Sequence, residues 1–237
     1  WKIAPCVATG NTAICKPSEL TPMTAYMLSE LIIEAGIPPG VINIIHGEGK
    51  TCGQGLVEHK DVPVISFTGG TQTGGQIAKS VAPQFKKTSL ELGGKNPNVI
   101  FADCDFDKAM KTTLRSSFLN QGEICLCGSR VYVERPLFQK FIDRFVADTD
   151  KLVVGDPMNK RTFLGALVSK PHLEKVLGYV QRAQSDGGTV LTKMDVSDLP
   201  SEFSSGYFMR PKIINGLDNN CQIQKEEDLL SQNLKTK

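Results

Sequence analysis

A cysteine set among small and polar residues just ahead of an apolar strand is a good place for a thiol nucleophile. The stretch Phe118-Leu119-Asn120-Gln121-Gly122-Glu123-Ile124-Cys125-Leu126-Cys127-Gly128-Ser129-Arg130, followed by Val131-Tyr132-Val133, has that form. A thiol attacks as thiolate, and an ordinary pKa of about 8.5 leaves only a minority ionised at neutral pH, so the site needs a base or another source of activation. Residue type alone favours Cys125 as a small buried apolar side chain. A second reactive group lies upstream in Leu90-Glu91-Leu92-Gly93-Gly94-Lys95-Asn96-Pro97, between the end of one strand and the start of another at Asn98-Val99-Ile100-Phe101. Paired glycines let the backbone turn where a side chain would clash, which puts Glu91 at a turn beside a cavity. A lone glutamate at such a turn is as a rule solvated or salt-bridged, so Glu91 gains meaning only beside Cys125.

The elements that must carry these groups alternate between strand and helix. Residues 1–11 read as the end of a glycine-capped helix, and residues 12–16 as a buried strand. Pro17-Ser18-Glu19 turns the chain into a helix over residues 22–35, whose Met23, Tyr26, Met27, Leu31 and Ala35 recur at helical spacing as core, with Gly36 as the stop. Lys16 and Glu19 then lie at a strand's carboxyl end, where open parallel sheets bind ligands. The apolar strand 41–45 leads through Gly47-Glu48-Gly49-Lys50-Thr51-Cys52-Gly53 into a helix of about a dozen residues. Such a turn lets a phosphate reach backbone donors, although it fits neither the phosphate-loop spacing nor the dinucleotide fingerprint. A third unit repeats the layout with strand 64–67, turn 68–74, helix 75–82 and strand 87–92. Repeated units of this kind imply a mostly parallel, doubly wound nucleotide-binding half. Beyond Gly94 the expected elements are a helix near 103–120 that delivers the Cys125 loop, a strand at 130–133, a helix at 136–151 with Phe138, Phe141, Ile142, Phe145 and Val146 inward, a helix at 172–184 and a strand within 206–214. His172 reads as a surface residue near a helix start.

Glu-Leu-Gly-Gly-Lys at 91–95 together with Phe-Leu-Asn-Gln-Gly-Glu-Ile-Cys at 118–125 closely resembles the paired signatures of the aldehyde dehydrogenase superfamily, and the resemblance runs from residue 1 to residue 227. The Gly-Glu-Ile-Cys-Leu-Cys wording looks most like the branch that oxidises muconic semialdehydes. The resemblance implies an α/β chain with a doubly wound, mostly parallel, Rossmann-like NAD domain at 1–93, an incomplete α/β catalytic domain at 94–227 and an atypical, disordered tail at 228–237. It makes Cys125 the nucleophile and Glu91 the general base. It assigns Lys16 and Glu19 to the adenosine ribose, Gly49 and Gly53 to an adenine-side turn, and Gly69 and Gly70 to the pyrophosphate turn. Gly74, Leu92 and Glu227 complete the cofactor set, Glu227 on the nicotinamide ribose. Gly70 stands where many relatives carry serine. A carboxylate at Glu19 accepts from ribose hydroxyls and repels a 2′-phosphate, which favours NAD over NADP. The family's second oxyanion donor is expected upstream of Trp1, and further catalytic strands and a subunit-pairing arm beyond Lys237. The chain is therefore expected to be a fragment, weakly active or inactive alone, of an NAD-dependent, homo-oligomeric aldehyde dehydrogenase. Two other readings stay open: a catalytically dead relative serving as a binding or structural protein, and an acyl-thioester-forming dehydrogenase using coenzyme A, which usually lacks a glutamate at the Glu91 position.

Composition bounds the rest. With 237 residues, 40% hydrophobic and 22% charged, the chain can bury a sizeable core. A net charge of +2 gives no reason to expect nucleic acid or an anionic membrane as partner, and the small aldehyde expected as partner is what the resemblance implies. Seven irregularly spaced cysteines do not form a secreted disulfide framework and fit a reducing, cytoplasmic setting. With only His46, His59 and His172 in the chain, Cys125 and Cys127 find no metal-ligand partner set, and no metal is expected. No apolar run approaches the roughly 20 residues that cross a bilayer, and no signal peptide is visible.

Overall fold

Strand, crossover helix and parallel strand form the recurring unit of the first half of the chain. The computed structural model describes residues 1–193, 199, 201–226 and 231–236, and divides into two units, Trp1–Gly93 and Gly94–Lys237. In the first, α1 (Ile3–Ala8) ends ahead of Gly10, which turns left-handed at φ +78°. β1 (Ala13–Cys15) follows, and α2 (Met23–Glu34) carries the chain back to β2 (Ile42–Ile44), which pairs parallel to β1 with Ala13 opposite Ile42. The expected dozen-residue helix after β2 is split. Gly49–Gly53 is wound as a wider π-helical turn, and only α3 (Gln54–Glu58) is α-helical. Next, β3 (Val64–Gly69), α4 (Thr71–Val81) and β4 (Lys87–Leu92) repeat the layout, with Val64 opposite Lys87 and Gly69 opposite Leu92. Val57, Ile65, Ile77 and Val81 form the buried core of this unit.

Two expectations for this unit are corrected. The turn expected over 68–74 is shorter, since α4 already starts at Thr71 and Gly74 lies buried inside it. The glycine serves close packing there, because a Cβ on Gly74 would come 2.5 Å from Leu92 Cδ2. The α2 core face is also different. Met23, Tyr26, Met27, Leu31 and Ala35 are exposed, while Ala25, Ser29 and Ile32, at i, i+4 and i+7, are the half-buried positions. Helical period was legible, but α2 carries apolar residues on more than one face, so period alone did not select the one laid on β2.

The second unit begins with β5 (Pro97–Ile100) and α5 (Phe106–Phe118), whose N-cap Asp105 accepts a hydrogen bond from the Lys108 amide at 3.1 Å. After β6 (Arg130–Val133) come α6 (Phe138–Thr149), α7 (Lys170–Ser185), β7 (Thr189–Val190), β8 (Lys212–Asn215), α8 (Gln222–Lys225) and β9 (Ser231–Thr236). The sheet order is β5-β6-β9-β8-β7, parallel except for β7 against β8. Phe118, Val131, Val133, Phe141, Phe145 and Ile213 are fully enclosed between α5, α6 and the sheet. The strand expected within 206–214 is only β8, since Pro211 has no amide to give a ladder. The tail is corrected as well: residues 231–236 form β9, bonded to β6 on one side and β8 on the other. Its backbone satisfies two strand edges that would otherwise be bare. The chain is thus α/β, with mostly parallel strands in Rossmann-like crossover units.

Candidate active site

The loop between α5 and β6 is bent hard. Asn120 (φ +51°), Gln121 (φ +57°) and Gly122 (φ +73°) follow one another in the left-handed region. Outside glycine such backbone costs of order 1 kcal/mol or more per residue and persists only where the surroundings impose it. Several contacts do so. Fully buried Phe118 stacks on Phe145 at 5.8 Å below the loop, and the Gly128 amide donates to Ser116 O at 3.0 Å. The Cys127 amide donates to Ile124 O at 2.8 Å, and Asn96 Nδ2 donates to the carbonyls of Cys125 (2.6 Å) and Cys127 (3.1 Å). On this frame Cys125 is exposed and Cys127 is buried. Burial pushes the Cys127 thiol up, opposed by its backbone hydrogen bond near Ile124 and reinforced by Cys125 and Glu123. Cys127 therefore stays a packed, neutral thiol, and Cys125 is the one open to a reactant.

Glu91 lies in β4, exposed, paired across the ladder with Thr68; next to it Leu92 pairs with Gly69 and packs on Gly74. Glu91 belongs to the first unit and Cys125 to the second. In the first unit Lys16 Nζ donates to Pro17 O (2.8 Å), Gly47 O (3.0 Å) and Glu19 Oε2 (3.3 Å). Glu19's own backbone amide, then Lys16, then the Gly49 amide hold its carboxyl below the usual carboxylate range. The chain just beyond β1 and just beyond β2 is thereby tied together, and Gly53 lies beside the Lys16 side chain, its Cβ position an ordinary contact distance of 3.5 Å from Lys16 Cε. Gly69 and Gly70 stand at the start of α4, where no side chain caps the helix and the space where a Cβ on Gly70 would sit is open. Glu227 lies outside the described residues.

Sequence reasoning missed two groups at the loop. His172, expected on the surface, is half-buried with Nε2 2.8 Å from Glu123 Oε1. The helix starts at Lys170 on the Ser169 cap, so position 172 lies inside the first turn and faces a carboxylate 49 residues upstream. Asn96 stood in the quoted glycine-rich motif, but only the tertiary pairing of Asn96 with the Cys125 loop reveals its use. Among the described residues no group of three or more His, Cys, Asp or Glu could hold a metal, and no helix is long and apolar enough to cross a membrane.

The chain is similar to known proteins in sequence and in fold. The sequence profile of the aldehyde dehydrogenase family matches residues 1–228. The chain is 51% identical over 229 residues to 2-aminomuconic semialdehyde dehydrogenase of Danio rerio, covering 96% of this chain and 47% of that one. It is 44% identical over 228 residues to 2-hydroxymuconic semialdehyde dehydrogenase of Pseudomonas sp. (strain CF600), again covering 96% of this chain and 47% of the relative. The crystal structure of betaine aldehyde dehydrogenase from Staphylococcus aureus in complex with NAD+ superposes with a TM-score of 0.94 at 36% identity, over 100% of this chain and 47% of that one. The chain spans about half the length of the relatives it matches. A profile matching nearly all of its residues, carried on the fold of a solved relative, leaves one assignment: the chain belongs to the aldehyde dehydrogenase family.

Proposed function

We propose that these residues are the cofactor-binding and nucleophile-bearing part of an NAD-dependent aldehyde dehydrogenase that converts a semialdehyde to the acid. The observation that carries the proposal is the Cys125 loop: an exposed thiol on a strained, tied backbone, two residues from a second thiol that is packed away. The Cys125 thiolate attacks the aldehyde carbon, and its own backbone amide donates to the resulting oxyanion. What NAD supplies when bound is an acceptor for the hydride. Glu91 takes the proton from the water that releases the acid from the Cys125 thioester. The first unit fits such a cofactor. Lys16 and Glu19, already joined at the end of β1, present an ammonium and a carboxylate to a ribose, while Gly49 and Gly53 hold the turn beside them. Gly69 and Gly70 leave the uncapped amides of α4 open to a pyrophosphate, and Gly74 lets the helix approach Leu92.

A muconic-type semialdehyde is the proposed substrate, supported by the names of the relatives at 51% and 44% identity. The chain alone is proposed to turn over weakly or not at all, its relatives being about twice as long. The experiment is an NAD-linked assay of a full-length family enzyme that carries this sequence, with 2-aminomuconic and 2-hydroxymuconic semialdehydes and betaine aldehyde. The muconic substrates are expected to give the higher kcat/KM, and Cys125→Ala to abolish acid formation. Acid formation surviving in Cys125→Ala would remove the nucleophile.

A further inference from the structure

We propose that Glu123 and His172 form a clamp that holds the Cys125 loop in its left-handed conformation, making His172 a positioning residue for the thiol. The proposal rests on the reading of Cys125 as nucleophile and adds to it the device that keeps the sulfur in place. Three successive left-handed residues, 120–122, end one residue before Glu123, and Cys125 follows two residues later. The clamp therefore falls on the short arm between the strained backbone and the thiol. Its two side chains are only 16% and 22% exposed, so their 2.8 Å contact is shielded from water and costs desolvation unless kept.

The far end of the clamp is fixed. Ser169 Oγ accepts from the His172 amide at 3.3 Å, and Pro171 sits in the same first turn, so the histidine projects from a capped, stiffened helix start. A second tie runs to the same neighbourhood. Oriented to satisfy both neighbours, the Gln121 side chain accepts from the Gly165 amide at 3.0 Å and donates to Asn120 O at 3.1 Å. The left-handed stretch is thus pinned from residues 165–172 on one side, while Asn96 holds the carbonyls of Cys125 and Cys127 on the other. Without the Glu123–His172 contact, residues 120–122 keep only the Gln121 and Asn96 ties against their return to ordinary backbone, and any such rotation carries Cys125 with it.

The test is hydrogen exchange of the purified chain, read by peptide mass. His172→Phe keeps an aromatic ring of similar bulk and removes the hydrogen bond; His172→Gln keeps a donor at comparable reach. In His172→Phe and in Glu123→Ala the peptide covering 119–128 is expected to exchange about tenfold faster, with α6 unchanged, and the double variant no faster than either single one, as coupled residues behave. His172→Gln is expected to stay within about twofold of the parent. Parent-like exchange in His172→Phe, or single effects that simply add, would overturn the clamp. In a full-length family enzyme that carries this sequence, His172→Phe is expected to lower kcat about tenfold with KM for NAD unchanged, and His172→Gln to restore it; unchanged kcat overturns the positioning role. Should Cys125→Ala retain turnover, the nucleophile reading fails whatever the exchange shows, so the two failures are distinguishable.

Discussion

Replacing Asn96 by aspartate should open the Cys125 loop more than replacing it by alanine, although aspartate is its near-isostere. The Asn96 amide nitrogen donates twice, to Cys125 O at 2.6 Å and Cys127 O at 3.1 Å. A hydrogen bond contributes about 1 kcal/mol net, and the Cys125 contact is partly open to water, so Asn96→Ala should cost about 1–2 kcal/mol of loop closure. Aspartate accepts only, and would set a carboxylate against two carbonyl oxygens, adding repulsion to the loss. Cys127, 6% exposed on the same loop, is a built-in reporter, since a thiol reagent reaches it only when the loop opens. At about 1.4 kcal/mol per factor of ten, Asn96→Ala should speed Cys127 labelling roughly 5- to 30-fold, and Asn96→Asp further still. Exposed Cys125 serves as the internal control in the same digest. Parent-like Cys127 labelling in Asn96→Asp would show that the amide does not hold the loop.

Phe145, fully buried between Phe118 and Phe141 at centroid distances of 5.8 and 5.6 Å, should cost about 3–5 kcal/mol when cut to alanine, read as a lower urea midpoint for exchange in α5 and α6. Gly188→Ala would place a Cβ 2.8 Å from the Ala183 carbonyl and should cost about 1–3 kcal/mol, whereas Gly178→Ala, with open space in α7, should stabilise by up to about 1 kcal/mol; the two thermal midpoints should move in opposite directions. Burial is the largest single influence on the Asp148 carboxyl and raises it, but the hydrogen bonds and charges of Arg144 (2.6 Å) and Lys151 (3.2 Å) together outweigh it and hold it below the usual range. A lowered folded pKa contributes stability above the unfolded value, about 3.9, and loses it as pH falls through the folded one. Asp148→Asn should therefore cost at most about 1 kcal/mol at neutral pH, and its deficit in urea titrations should shrink below about pH 4.

What the sequence disclosed depended on whether the deciding interaction was local. β4 at Lys87–Leu92 and the inward Phe141, Ile142 and Phe145 of α6 follow from runs and spacing that tertiary packing did not overrule. The α2 face was misread because apolar residues occur around much of the helix, and docking on β2 chose Ala25, Ser29 and Ile32. Gly74 read as turn because composition cannot distinguish a glycine needed for positive φ from one needed to admit Leu92. The placement of Cys125 in a loop ahead of β6 was legible through its motif. Asn96 and His172, which bond to the loop that carries Cys125, lie 29 and 47 residues from it along the chain, and no periodicity carries such pairings. Residues 231–236 looked foreign to the motif pattern, and their role as β9 comes from ladders on both sides rather than from their own composition.

The proposed division of labour between Cys125 and Glu91 is tested most directly by mixing a full-length family enzyme that carries this sequence, NAD and a semialdehyde rapidly and following NADH. Glu91→Gln should release close to one NADH per Cys125 and then stall with the acyl group on that sulfur, while Cys125→Ala should release none. Continuous turnover by Glu91→Gln at the parent rate, or a burst from Cys125→Ala, would contradict the assignment.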